Sequence, residues 1–144
     1  MDMKRTKKME QPVVLVVEDE ALIRMNALLM IEEAGYAAVE ACNADEAIVI
    51  LEGRSDICAV FTDVRMSGSM DGLNLAHAIR ERWPPIHLIV TSGANNSSEW
   101  QLPANARFIR KPYKAEQLIA TLQELFGHNS APVNDNGYDR SKLA

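Results

Sequence analysis

The stretch that decides the fold is Val13-Val14-Leu15-Val16-Val17-Glu18-Asp19-Glu20: five apolar residues, four of them β-branched, running directly into three acids. Five residues is strand length, and an apolar side chain at every position demands burial on both faces. The same run is far too short to cross a bilayer. A strand buried on both faces belongs in the middle of a parallel sheet. The acids after it then stand at the sheet's carboxyl edge.

Working outward, short apolar runs alternate with helical patterns. Residues 21–34 read as a helix, with Gly35 placed to close it. A weaker strand follows at Ala37–Ala41. Asn43 can cap a helix reaching Glu52, with Asp45 and Glu46 in its first turn, where the helix dipole favours negative charge. Residues 57–62 form a third strand and residues 73–82 a helix, stopped by Trp83-Pro84-Pro85.

Residues 87–90 are a fourth strand. The polar stretch 93–105 contains Pro103 and supports at most a short helix. Residues 107–109 make a fifth strand. Residues 114–126 are amphipathic, with Leu118, Ile119, Leu122, Leu125 and Phe126 inward. Strict alternation of strand and helix predicts an α/β fold: a five-stranded parallel sheet with helices on both faces.

At 144 residues, with 47% hydrophobic and 24% charged residues, the chain is expected to hold one domain. That domain spans 12–126, between a flexible basic segment at 1–11 and a flexible tail at 127–144 that is rich in Asn, Ser, Gly and Asp. The net charge is −5; with +2 on the N-terminal segment and a balanced tail, the centre carries −7. An acidic centre argues against general nucleic-acid binding, which needs a basic face. No signal region or spanning segment is visible, so a cytoplasmic location is expected. Cys42 and Cys58 form no metal or redox spacing and read as small buried residues.

In an open parallel sheet, ligands bind outside the carboxyl ends of the strands. Those ends carry Glu18-Asp19, Asp63, Thr91 and Lys111-Pro112. Three carboxylates in one cleft repel, and the repulsion is relieved by raised pKa values or by a hard cation such as Mg²⁺. Metal, lysine and hydroxyl together suit a transferring phosphoryl group. A carboxylate can itself be the nucleophile and form an acyl phosphate. Asp63, at the end of the third strand with the other acids available for metal, fits that role.

These residues, 13–20 (VVLVVEDE), 60–66 (VFTDVRM), Met70-Asp71-Gly72, 90–93 (VTSG) and 108–112 (FIRKP), resemble the response-regulator receiver domain. The resemblance covers about residues 12–126, with all five motifs in order. It implies a flavodoxin-like (βα)5 fold with strand order 2-1-3-4-5. It implies that Asp63 is the phosphoacceptor and that Glu18, Asp19, Asp63 and the Arg65 backbone carbonyl hold Mg²⁺. Thr91 and Lys111 would stabilise the phosphoryl group, Thr91 and Phe108 would switch, and Pro112 would follow a cis peptide bond. Two stretches, LNLAHAIRERWPP and RFIRKPY, are similar to receivers that work with HWE-type sensor kinases.

The expected function is that of a single-domain response regulator, not an enzyme beyond its own phosphotransfer and dephosphorylation. Its expected partners are a sensor histidine kinase or phosphotransfer protein and an output protein, with no DNA contact and the last helix as a candidate dimer surface. The alternatives are a phosphorylation-independent interaction module and, ranked lower, an aspartyl-phosphate hydrolase. Ser67-Gly68-Ser69 departs from the family, lengthening the segment after Asp63 and lacking its usual proline.

Overall fold

The computed structural model describes residues 11–66, 70–93 and 101–127. They form β1 (Val13–Val17), α1 (Ala21–Glu33), β2 (Ala37–Ala41), α2 (Ala44–Gly53), β3 (Ile57–Asp63), α3 (Gly72–Arg82), β4 (His87–Ser92), β5 (Arg107–Arg110) and α4 (Ala115–Phe126). All strand pairs are parallel and the order is β2-β1-β3-β4-β5. The flavodoxin-like topology is thus the one expected. β1 is central, and Val14 to Val17 are at most 1% exposed.

Alternation along the strands splits the core in two. Leu15, Val17, Val60, Leu88 and Val90 face α2 and α3, meeting Ala47, Leu51, Leu75 and Ile79. Val14, Val16, Phe61, Ile89 and Ile109 face the other way, packing with Ala27 and Ile31 of α1 and Leu118 and Leu122 of α4. Of the five positions expected inward on the last helix, Leu118 and Leu122 are fully buried, and Ile119, Leu125 and Phe126 half-buried.

The local signals behave as their chemistry requires. Gly35 takes φ +99° just beyond α1. Asn43 caps α2 by accepting from the Glu46 amide at 2.8 Å, and Glu46 reaches back to the Cys42 amide at 2.6 Å. β4 runs two residues further than its apolar stretch, so Thr91 and Ser92 are strand residues, both buried. Residues 101–106 carry no helix, and residues 94–100 of the expected short helix lie outside the described residues. Ser67-Gly68-Ser69 also lies outside them.

One expectation fails. Cys42 is exposed rather than buried, because it lies just past the end of the edge strand β2, in the turn into α2; Cys58 is half-buried. Among the described residues no helix is long and apolar enough to cross a membrane.

Candidate functional site

Register brings the strand ends together. Val17 pairs with Thr62 and Asp63 with Thr91, so β1, β3 and β4 finish side by side. The Lys111 amide bonds the Ser92 carbonyl at 3.0 Å, which draws the end of β5 to the same edge. Asp63 is 7% exposed, and each of its carboxylate oxygens has a donor. Oδ1 accepts from the Arg65 amide at 3.1 Å, and Oδ2 from Lys111 Nζ at 2.6 Å. Lys111 Nζ also lies 3.8 Å from Glu18 Oε1. Burial pulls the Lys111 ammonium toward neutrality, but the Asp63 hydrogen bond and the charges of Asp63, Glu18 and Glu20 outweigh it and raise its pKa.

Glu18 is 4% exposed and does not cap α1. Its Oε2 accepts from the Glu20 amide at 3.0 Å. Burial, and after it the proximity of the Asp63 carboxylate, push the Glu18 carboxyl up to about 7; the Glu20 amide and Lys111 oppose the rise. Burial and these same two acids lift the Tyr113 hydroxyl to about 12. The ring of Tyr113 meets Phe61 edge-on with centroids 5.6 Å apart, which roofs the pocket on the α1 and α4 side. The Lys111-Pro112 peptide is cis, as the resemblance implied.

Thr91 lies beside Asp63 in register, and its buried hydroxyl has no hydrogen-bond partner among the described residues. A buried hydroxyl left unsatisfied is costly. Phe108 is half-buried against the α2–α3 side of the core. Arg65 turns its side chain to solvent while its amide serves Asp63. The expected positions Glu18, Asp63, Thr91 and Lys111 therefore gather at one edge.

Two contributors were not singled out in the sequence. A Cβ on Gly72 would lie 1.7 Å from the Asp63 carbonyl oxygen, so only glycine lets α3 approach the back of the site. Its amide bonds the Val64 carbonyl at 2.8 Å, and Asp71 caps the helix through the Asn74 amide. The signal was present in the Met70-Asp71-Gly72 motif, but nothing in one sequence says what the glycine must clear. Tyr113 is the other, recognisable only once the sheet places it over Phe61.

Among the described residues, no three carboxylate, imidazole or thiol groups are gathered tightly enough to hold an ion. Lys111 holds Asp63 Oδ2 instead. The expected donors are nonetheless all oxygen, the chemistry Mg²⁺ prefers, and in that respect the residues fit the ion; the rise of the Glu18 carboxyl comes first from burial and only then from Asp63.

The model of the response regulator receiver domain matches residues 14–123. The chain belongs to that family. Over 118 residues the receiver is 38% identical to the sensor kinase CckA of Brucella abortus, covering 78% of this chain and 12% of that one. It is 30% identical to a putative NtrX-like response regulator of Rickettsia bellii, over 76% of this chain and 24% of that one. It thus spans an eighth to a quarter of the length of these relatives. Among solved structures, a receiver protein from Pseudomonas putida superposes with a TM-score of 0.70 at 30% identity, covering 79% of this chain and 97% of that one. TrrA of Thermotoga maritima, solved in complex with Mg(2+)-BeF, shares the fold with a TM-score of 0.70 at 24% identity, over 80% of this chain and 99% of that one.

Proposed function

We propose that this receiver takes a phosphoryl group onto Asp63 from a phosphohistidine of a sensor histidine kinase or phosphotransfer protein. The observation that carries the reading is the buried Asp63 carboxylate, held between the Arg65 amide and the Lys111 ammonium at the rim of the sheet. An Asp63 carboxylate oxygen forms the new bond to phosphorus as the phosphorus–nitrogen bond of the donor breaks, giving an acyl phosphate and a free imidazole. Lys111, already within 2.6 Å, is released from the free carboxylate to pair with the phosphoryl oxygens.

Glu18, Asp19, Asp63 and the Arg65 carbonyl are the residues we assign to Mg²⁺; the Mg(2+)-BeF complex of TrrA supports the choice of ion. Bound there, the ion supplies positive charge against the equatorial oxygens. The acyl phosphate carries roughly −1.5 to −2 charges where the Asp63 carboxylate carried one, and its oxygens give the Thr91 hydroxyl an acceptor. Thr91 moving toward it, with Phe108 following, is the switch we assign.

The donor protein has a surface to meet. Leu22, Met25 and Leu29 of α1 are 79%, 53% and 50% exposed, at helix spacing on the element that starts at the pocket rim. Output passes through protein contacts, or the chain acts as a phosphoryl sink or relay in the cytoplasm. An HWE-type kinase is the donor class favoured by the wording of residues 73–85 and 107–113. Receiver activity of this kind is self-modification, not turnover of an external substrate. Incubation with a radiolabelled phosphokinase tests the reading: label should appear on the native chain and be absent from Asp63→Asn.

A further inference from the structure

The backbone that carries the acidic pair is anchored by a residue outside the pocket. Arg24, in the second turn of α1, donates from Nη1 to the Glu18 carbonyl at 2.9 Å and from Nε to Glu40 Oε1 at 2.8 Å. The Glu18 amide bonds the Ala41 carbonyl at 3.1 Å, and the Glu18 side chain takes the Glu20 amide. Every polar group of the Glu18 backbone is thus held, its N–H by β2 and its C=O by Arg24. The Glu18 carbonyl belongs to the 18–19 peptide, so the Arg24 bond orients the peptide from which Asp19 follows. The Arg24 side chain is 19% exposed and its charge is matched by Glu40. It therefore acts by direction more than by charge.

We propose that Arg24 is a positioning residue for the divalent-cation site: its guanidinium, braced on Glu40, fixes the Glu18 carbonyl so that Glu18 and Asp19 present their carboxylates to one ion. This rests on the assignment of Mg²⁺ to Glu18, Asp19 and Asp63. The fork geometry is essential. Two nitrogens of one rigid plane reach two acceptors, one just past the end of β1 and one on β2, which a lysine ammonium on a flexible stem does not reproduce. Groups that orient a metal ligand without touching the ion typically change metal affinity by about 10- to 100-fold when removed.

The test is calorimetric titration of the folded full chain with Mg²⁺ alone, alongside thermal unfolding. Arg24→Met is expected to weaken Mg²⁺ binding about tenfold. Arg24→Lys, able to serve one acceptor at a time, should recover part of the loss. Glu40→Gln keeps an acceptor for Nε and should stay within about twofold of native, because an exposed ion pair contributes little. Asp19→Asn is the control for the site itself. If Asp19→Asn loses Mg²⁺ while Arg24→Met binds like native, the positioning role is wrong and the site stands. If the native chain takes up no Mg²⁺, or Asp19→Asn binds as well as native, the metal assignment falls and takes the role of Arg24 with it. Should Arg24→Met fail to fold, Arg24→Lys decides: weaker binding than native supports the role, and equal binding overturns it.

Discussion

Replacing Gly72 by alanine sets two physical effects against each other. Helix propensity alone favours alanine over glycine by up to about 1 kcal/mol. The structure argues the opposite. The added methyl would lie 1.7 Å from the Asp63 carbonyl oxygen, 2.6 Å from its carbon and 2.9 Å from Thr62 Oγ1. Contacts below about 3 Å are not tolerated between such atoms, so the start of α3 must withdraw by more than 1 Å. Two of the three obstacles are backbone atoms of β3, which cannot rotate away.

Withdrawal breaks the 2.8 Å bond from the Gly72 amide to the Val64 carbonyl, a loss of about 1 kcal/mol. It also strains or loosens the packing of Leu75, Ala76 and Ile79, all fully buried, for about 1–3 kcal/mol more. Set against the gain of up to about 1 kcal/mol in helix propensity, the expected net is a destabilisation of about 1–3 kcal/mol, or a fall in Tm of roughly 4–12 °C for a domain of this size. Urea unfolding followed by far-ultraviolet circular dichroism measures it. A Gly72→Ala protein as stable as native, or more so, would refute the claim that the helix start is wedged against the Asp63 carbonyl.

Other outcomes arise from the pocket. The Glu18 carboxyl, ordinarily near 4.5, is pushed up to about 7, so between those values the folded chain binds the proton that the unfolded chain has lost. Stability should fall as pH rises from about 4.5 to 7, by up to about 3 kcal/mol, and the slope should flatten in Glu18→Gln or with Mg²⁺ present; a rising profile for this group contradicts it. Lys111→Met leaves a buried carboxylate without its cation and should cost about 2–4 kcal/mol in unfolding experiments, with phosphorylation slowed about 100-fold. Thr91→Val removes a buried hydroxyl that has no partner and should stabilise the unphosphorylated chain by about 1 kcal/mol while blunting phosphorylation-dependent partner binding. Loss of stability in that variant would mean that the hydroxyl is already satisfied.

The fold was legible because the site-bearing strands announce themselves twice, by an apolar run and by the polar residues at its carboxyl end. Val13–Val17 runs into acids, Ile57–Asp63 closes on Asp63, and β5 leads to Lys111-Pro112; parallel topology alone carries all three to one edge. The strand boundaries were less legible. Thr91 and Ser92 look like loop residues by polarity, yet both are buried β4 residues, because pairing with β3 and β5 satisfies their backbone. Cys42 shows the converse, an apolar residue left outside by its place beyond an edge strand.

The supporting contacts were hidden for a different reason. Arg24 lies 16 residues from Glu40, and Gly72 packs on an atom nine positions earlier; both relations are fixed by tertiary geometry, not by local spacing. Helix periodicity gives no hint of either. The positions that gather at the sheet's edge could be read one residue at a time, whereas the contacts behind them could not.

The central proposal is that Asp63 is the phosphate-accepting carboxylate. The most direct measurement is mass-spectrometric mapping of the phosphoryl group on the native chain after incubation with a phosphorylated histidine kinase and Mg²⁺. The expected result is a single modified peptide with the group on Asp63, and no modification in Asp63→Asn. A phosphoryl group on another residue, or undiminished label in Asp63→Asn, would contradict it.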